Sequence, residues 1–152
     1  MKLSTDAFAS GDRMPAQHSR ERGDRSPPFV WRDVPEQADS LVLLCEDPDA
    51  PGDEPFVHWL VYDIPTDESS VPEGGPVPGI EGINGFGEQG YGGPRPPKED
   101  GPHHYHFRLY AVDRVLGLPP GACRKDVVRA MEGHALAQAE WIGLYERDGP
   151  GE

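Results

Sequence analysis

The stretch Asp47–Trp59 reads DPDAPGDEPFVHW and joins two apolar runs of strand length, Ser40–Glu46 and Phe56–Ile64. Proline fixes its own φ, and Asp side chains accept hydrogen bonds from nearby backbone N–H groups. Residues of these types between two apolar runs are typical of a stiff turn. The pattern therefore predicts two strands joined by a rigid loop, with Asp47 and His58 near the strand ends.

Short apolar runs continue on both sides of this turn, each bounded by Gly, Pro or Asp. We predict further strands at Leu3–Phe8, Phe29–Trp31, His103–Asp113 and Glu140–Arg147. The third of these, HHYHFRLYAVD, alternates with a period of two, which places its odd-numbered residues on one face. Many short strands with small helical additions indicate a mostly β, sandwich-like fold.

One segment has helical periodicity. It reads RKDVVRAMEGHALAQA, residues 124–139, and follows LPPGA, which stops any earlier helix. A helical stripe is formed by Val127, Val128, Met131 and Leu136. We predict one convincing helix here, with room for a second short one late in the chain.

The segment Thr66–Gly101 is dense in Gly and Pro and contains VPEGGPVPG and GFGEQGYGGPRPP. A loop of this length is either functional or disordered. Its aromatic residues Phe86 and Tyr91 favour a loop that partly packs against the fold and has a function.

Composition limits the class of protein. The chain has 152 residues, which predicts a single domain over 1–152, and 27 acidic against 14 basic residues give a formal net charge of −13. Such a field repels phosphate backbones, so nucleic-acid binding is disfavoured. The two cysteines form no disulfide or zinc pattern. The sequence shows no signal-peptide h-region and no run of the ~20 apolar residues that cross a membrane, so we predict a cytoplasmic protein without integral membrane contact.

Strand parity brings polar residues to strand ends. Four polar residues alternate in step with the apolar residues of their own strand: Asp47, His58, His103 and Tyr105. They are therefore predicted to point inward near the end of the strand. The apolar residues of matching parity are Leu41, Leu43 and Cys45 for Asp47; Phe56, Leu60, Tyr62 and Ile64 for His58; and Phe107, Leu109 and Ala111 for His103 and Tyr105. Together they predict a small rigid cavity for an anion or another polar ligand.

A structural interpretation stands beside this one. DPDAP is also the pattern of a turn in which Asp carboxylates accept backbone N–H groups. His58 and His103 are, on that interpretation, core histidines bonded to backbone carbonyls.

Three segments resemble the bacterial branch of the phosphatidylethanolamine-binding protein family, also called the Raf kinase inhibitor protein family. They are EDPDAPGDEPFVHWLVYDIP (46–65), GINGFGEQGYGGPRPPKEDGPHHYHFRLYAVD (82–113) and AMEGHALAQAEWIGLYER (130–147). The resemblance covers nearly the whole chain. It implies a Greek-key β-sandwich with a large central antiparallel sheet, a smaller sheet and one or two C-terminal helices.

The resemblance also implies a non-enzymatic protein with a small pocket for phosphate-like groups and the phosphatidylethanolamine head group. Within it, Asp47 stands where the family's pocket aspartate stands, and His58 matches a pocket histidine. The remaining ligand-binding residues carried over by the motifs are Gly93, Pro94, Pro97, His103 and Tyr105. On this view His58, His103 and Tyr105 donate hydrogen bonds to a phosphoryl oxygen, and Asp47 orients a histidine and raises its pKa.

Two departures from the family pattern are visible. Residues 17–28, QHSRERGDRSPP, replace the usual bacterial segment before Ser-Pro-Pro, which puts the role of that loop in doubt. His104 stands where the family usually has Arg, which weakens the positive potential near the pocket.

Four further expectations remain open. A hydrolase is disfavoured because no nucleophile motif is present. A metal site at His104 and His106 lacks a third ligand, so we expect no metal and no cofactor. A kinase or protease inhibitor that does not use the pocket is an alternative function. The resemblance also favours a homodimer, in which Trp141 and Tyr145 lie either at the partner surface or in the core.

Overall fold

The polypeptide forms two antiparallel sheets and one α-helix in the computed structural model, which describes residues 1–147. The elements are β1 (Lys2–Ser4), β2 (Phe29–Arg32), β3 (Ser40–Asp47), β4 (Phe56–Ile64), β5 (Ser70–Val71), β6 (Ile80–Glu81), β7 (His103–Val112), α1 (Arg124–Met131) and β8 (Ala135–Tyr145). Single turns of 3₁₀ helix lie at Ala16–His18 and Lys98–Asp100.

The small sheet has the strand order β1-β2-β5, and the large sheet has the order β6-β4-β3-β7-β8. In the large sheet, β3, β4 and β6 lie side by side, and β7 returns after a long connection to pair with the free edge of β3. This order is that of a Greek key. The predicted mostly β fold with a large and a small antiparallel sheet is confirmed.

Strand β3 lies at the centre because all eight of its residues are buried. Leu41, Leu43 and Cys45 pack toward the small sheet, whereas Val42 and Leu44 pack toward α1 on the opposite face. Each fully buried Leu contributes roughly 1.5–3 kcal/mol to folding. A strand buried on both faces reads as a continuous apolar run, which is why the run before Asp47 does not alternate.

Strand β4 contains two irregularities that the parity argument missed. Cys45 pairs with Trp59 while Glu46 pairs with Val57, so His58 is an extra residue on β4. A bulge of this kind shifts the faces of the residues that follow. Consequently Leu60 and Tyr62 pack on the α1 side, and the prediction that they share a face with His58 is wrong. Ile64 returns to the small-sheet side after the second irregularity.

The helix is shorter than the sequence predicted. It ends at Met131, and Gly133 follows with φ +76°, a conformation that Gly adopts without strain. The chain then enters β8, which pairs with β7 from Ala135 to Tyr145. Leu136 therefore lies on a strand and is exposed rather than part of a helical stripe. The long ladder with β7 outweighs the helical pattern of this segment.

The first strand is also shorter than predicted and ends at Ser4, yet Phe8 still packs into the core from the following loop. The segment Thr66–Gly101 packs as expected, with Tyr91 against the core and Phe86 against His58. Tyr145 lies in the core, and the Trp141 indole donates to the Phe8 carbonyl at 3.2 Å. Within residues 1–147, no helix is long and apolar enough to cross a membrane.

Candidate functional site

A cavity of about 150 Å³ opens where strands β3, β4 and β7 of the large sheet end or begin. Strand β3 is antiparallel to both β4 and β7, so its last residue meets the first residues of those two strands. This is why Asp47, His58, His103 and Tyr105 converge although they are far apart in sequence. The full lining consists of Asp47, Ala50, Pro51, Phe56, His58, Phe86, Arg95, Pro96, Pro97, His103 and Tyr105.

Asp47 orients His103. Its Oδ2 lies 2.6 Å from Nδ1 of His103, and both residues are only 3% exposed. Its Oδ1 accepts the backbone N–H of Asp49 at 2.8 Å. Because a carboxylate only accepts, the Nδ1 of His103 carries a proton. Asp47 is thus a fixed positioning group, and the turn interpretation of DPDAP holds together with the pocket interpretation.

The second nitrogen of His103 also meets a carboxylate. Its Nε2 lies 3.0 Å from Oδ2 of Asp100, the last residue of the 3₁₀ turn before β7. Burial lowers the pKa of His103, but the hydrogen bonds to Asp47 and Asp100 outweigh it, and the pKa is raised above its usual value. The expectation that Asp47 raises the pKa of a pocket histidine agrees with this direction.

His58 is electrostatically the opposite of His103. Burial lowers its pKa to about 4, and a hydrogen bond with the Gly92 carbonyl offsets only part of that shift. Nδ1 lies 2.6 Å from the Gly92 oxygen, so it carries the proton of the neutral ring. Nε2 is then an acceptor. The expectation that His58 donates to a phosphoryl oxygen is therefore wrong, because its single N–H is committed to the backbone.

Aromatic rings surround the His58 imidazole. The ring centroid of Phe56 lies 4.9 Å away, that of Tyr105 5.1 Å and that of Phe86 5.8 Å. Burial, with the nearby Asp47 carboxylate, raises the pKa of Tyr105 well above its usual value. Its hydroxyl stays protonated and finds no hydrogen-bond partner among the residues that the structure describes. Tyr105 thus offers the cavity one O–H donor.

Of the three predicted wall residues, only Pro97 lines the cavity. Gly93 and Pro94 lie behind the wall, against the loop that departs from the family pattern. The Gly93 N–H donates to Asp24 Oδ1 at 2.6 Å, and the Pro94 carbonyl accepts the Arg20 N–H at 3.0 Å. A Cβ on Gly93 would collide with the His18 carbonyl oxygen.

The loop 17–28, which departs from the family pattern, therefore supports the pocket wall from outside the cavity. The Arg20 guanidinium stacks over the Phe86 ring at 4.0 Å and pairs with Glu88 at 2.6 Å. The Tyr91 hydroxyl donates to the His18 carbonyl at 2.7 Å. This loop holds the wall without contributing a lining residue.

Several lining residues escaped the sequence argument. Phe86 and Arg95 come from the long Gly/Pro loop, where no periodicity points to a face. Asn84 positions Phe86, since its Oδ1 accepts the Phe86 N–H at 2.9 Å. Asp100, which contacts His103 without lining the cavity, was also missed.

The alternative metal pair does not converge on a common ligand set. His104 Nδ1 lies 2.7 Å from Asp49 Oδ2, and His106 Nδ1 lies 3.1 Å from Glu140 Oε2. Each imidazole thus has its own carboxylate. Across residues 1–147, no group of three or more His, Cys, Asp or Glu side chains is placed to hold a metal ion.

The two sheets and the cavity define a β-sandwich protein with a small polar pocket, and comparison with known proteins gives the family. The model of the phosphatidylethanolamine-binding protein family matches residues 4–146. The chain belongs to this family, as the sequence motifs predicted.

Relatives and solved structures agree with this assignment. A UPF0098 protein of Methanothermobacter thermautotrophicus is 46% identical over 153 residues, covering 97% of this chain and 99% of the relative. A UPF0098 protein of Aquifex aeolicus is 48% identical, covering 97% and 90%. A crystal structure described as a phosphatidylethanolamine-binding protein homologue of Chlamydia trachomatis has a TM-score of 0.91 and 40% identity, covering 97% of both chains. Escherichia coli YbcL, described as a member of the mammalian PEBP family, has a TM-score of 0.90 and 28% identity, covering 97% and 98%.

Proposed function

We propose that this protein binds a small anionic group, of the phosphate or phosphatidylethanolamine head-group type, without transforming it. The observation that carries the proposal is the buried Asp47–His103 pair, 2.6 Å apart, at the base of the cavity. A histidine whose pKa is raised supplies a positive charge and an N–H donor to an anion.

Three donors are available to such a ligand. They are the Nε2–H of His103, which Asp100 also contacts at 3.0 Å, the hydroxyl of Tyr105 and the Arg95 guanidinium, whose Nε also pairs with Glu21 at 3.2 Å. His58 offers an acceptor, suited to a protonated phosphate oxygen or to an ammonium group. The set therefore suits a hydrogen phosphate, or a zwitterion that carries its own N–H donors.

The size of the cavity favours a head group over a larger ligand. A volume of about 150 Å³ corresponds to about five water molecules at roughly 30 Å³ each. Aromatic and Pro side chains around this space lower its polarity, which strengthens hydrogen bonds to an anion. Asp47, buried and already bonded twice, is not free to contact an amine directly.

Hydrolysis is less well supported. The Asp47–His103 pair resembles the acid–base part of a catalytic triad. Among the described residues that line the cavity, however, none is Ser, Thr or Cys. The Cys45 thiol is buried in the core, and burial raises its pKa. Regulation of a kinase or another signalling protein, inhibition of a protein partner away from the pocket, and formation of a homodimer stay predictions from the family.

A calorimetric titration tests the proposal. Phosphate and O-phosphorylethanolamine are titrated into the unmodified protein and into His103→Asn, which keeps an amide that can bond to Asp47. Saturable binding that is lost in the variant is expected. Equal binding by both proteins would place the anion elsewhere and contradict the proposal.

A further inference from the structure

One carboxylate of the site has no role in the proposed anion pocket. Asp100 Oδ2 lies 3.0 Å from Nε2 of His103, while Asp47 takes Nδ1 at 2.6 Å. Both nitrogens of the imidazole are thus bonded to carboxylates. Nε2–H is the donor that an incoming anion needs, and Asp100 already uses it.

We propose that Asp100 is a built-in competitor for the ligand, and that an anion binds to His103 only by displacing the Asp100 carboxylate. The inference rests on the proposed anion-binding function. It names the residue that sets the affinity and the selectivity of that pocket.

Charge makes the two partners of Nε2 mutually exclusive. One N–H cannot lie within hydrogen-bond distance of two anions without bringing their like charges close together. With Asp100 in place, the His103 imidazolium is flanked by two carboxylates. With Asp100 withdrawn, the Asp47 carboxylate and the His103 imidazolium remain as an ion pair without net charge. An incoming anion then takes the place of Asp100 at Nε2.

The two carboxylates differ in their freedom to move. The side chain of Asp47 is 4% exposed, whereas that of Asp100 is 36% exposed. Asp100 ends a single 3₁₀ turn and is followed by Gly101, with φ +72°. It can therefore rotate into solvent. Asp47 is held by the Asp49 N–H and cannot.

Selectivity follows from the chemistry of the competitor. A monocarboxylate such as acetate forms no stronger hydrogen bond with His103 than Asp100 does. Unlike Asp100, it is not covalently attached near His103, so its effective concentration there is lower. A dianion such as phosphate or sulfate carries more charge and more acceptor oxygens. The pocket is thus expected to take up phosphate-like dianions and to reject simple carboxylates.

The test compares the unmodified protein with Asp100→Ala and with Glu99→Ala, a matched control that removes the neighbouring carboxylate of the same exposed turn. Phosphate and acetate are titrated by calorimetry at one pH and one salt concentration. Asp100→Ala is expected to bind phosphate about tenfold more tightly and to gain measurable acetate binding, since a charged hydrogen bond is no longer broken. Glu99→Ala is expected to stay within about twofold of the unmodified protein.

Each other outcome is decisive. Phosphate binding by Asp100→Ala alone also supports the proposal, because Asp100 then occludes the site. Unchanged or weaker binding in Asp100→Ala overturns it while leaving anion binding intact. An equal gain in Glu99→Ala assigns the effect to overall charge and also overturns it. No phosphate binding by any of the three proteins overturns both this inference and the proposed function. Without ligand, the ¹⁵N shift of His103 Nε2 is expected to change in Asp100→Ala; an unchanged shift contradicts the contact.

Discussion

His58 and His103 line the same cavity, but their environments displace their pKa values in opposite directions. Burial lowers the pKa of His58 to about 4, whereas two carboxylates raise the pKa of His103 despite burial. Between the two pKa values the cavity therefore holds one neutral and one charged imidazole. Neutral His58 can accept a hydrogen bond, and charged His103 can bind an anion.

The neutral state of buried His58 makes stability depend on pH. Between pH 6.5 and about 4 the unfolded chain binds a proton at His58 and the folded chain does not, so the free energy of unfolding falls as pH falls through this range. At pH 4.5 the loss amounts to about 2–3 kcal/mol. His58→Asn can still donate to the Gly92 carbonyl but does not titrate. Urea unfolding at pH 7 and 4.5 is expected to show a smaller acid loss in the variant; parallel losses would contradict the assignment.

The charged state of His103 makes ligand binding depend on pH. A raised pKa means that the imidazolium is fully present below pH 6.5 and is lost as pH rises through the folded pKa. We expect sulfate, which does not itself titrate in this range, to bind about tenfold more weakly at pH 9 than at pH 6. Tyr105 stays protonated at both values, since its pKa is raised well above the usual one. Equal calorimetric affinities at the two pH values would show that His103 does not supply the charge.

The support that loop 17–28 gives the pocket wall depends on the absence of a side chain at Gly93. Gly93→Ala places a Cβ against the His18 carbonyl, so the loop 17–28 or the wall has to shift. We expect a loss of about 2 kcal/mol in the free energy of unfolding, together with weaker anion binding. Gly87→Ala is the control, because a Cβ there meets nothing within 4 Å and only its φ of +79° is unfavourable, at a cost of about 1 kcal/mol. Similar thermal unfolding of Gly93→Ala and Gly87→Ala would contradict the claim that loop 17–28 supports the pocket wall through close contact at Gly93.

A buried ion network supports β3 on the side opposite the cavity. Glu46 is 2% exposed and pairs with Arg108 at 2.7 Å and with Arg124 at 2.6 Å, which ties β3 to β7 and to α1. Glu46→Ala removes the carboxylate shared by two partly buried guanidinium groups and leaves Arg108 with Glu140 alone, so a loss of about 3 kcal/mol is expected by chemical denaturation.

The matched control for this network is Glu140→Ala. Glu140 pairs with the same Arg108 at 2.7 Å, but its side chain is 36% exposed. Its removal is expected to lower the free energy of unfolding by less than about 1 kcal/mol, because solvent screens the pair. A loss as large as that of Glu46→Ala would mean that burial does not determine the strength of these pairs.

Strand β7 was predictable because its residues alternate and no bulge interrupts it between His103 and Ala111. Strand β4 was not, since one extra residue at His58 reverses the faces that follow, and nothing in FVHWLVYDI signals a bulge. His58 still lies in the cavity because the residue at the bulge turns toward Tyr105. The predicted helix was too long because Gly133, which follows its actual end, lies inside a stretch of otherwise helical spacing.

The site was predictable to the extent that it lies on strands. Asp47, His103 and Tyr105 follow from parity, and the antiparallel pairing of β3 with β7 brings them together. Loop residues have no such rule. Arg95 and Phe86 reach the cavity from the Gly/Pro loop, where Arg20 stacks over the Phe86 ring, and Asp100 reaches His103 from a single 3₁₀ turn. Gly93 and Pro94 match the family motif, yet they act behind the wall.

The most direct measurement is an NMR titration of imidazole ¹⁵N nuclei with phosphate at constant pH. The account predicts that the Nε2 signal of His103 shifts saturably, while the signals of His18, a buried residue of the loop 17–28 outside the cavity lining, stay unchanged. Saturable phosphate binding that leaves His103 unshifted, or no binding even by Asp100→Ala, would contradict the claim that the Asp47–His103 pair forms an anion site.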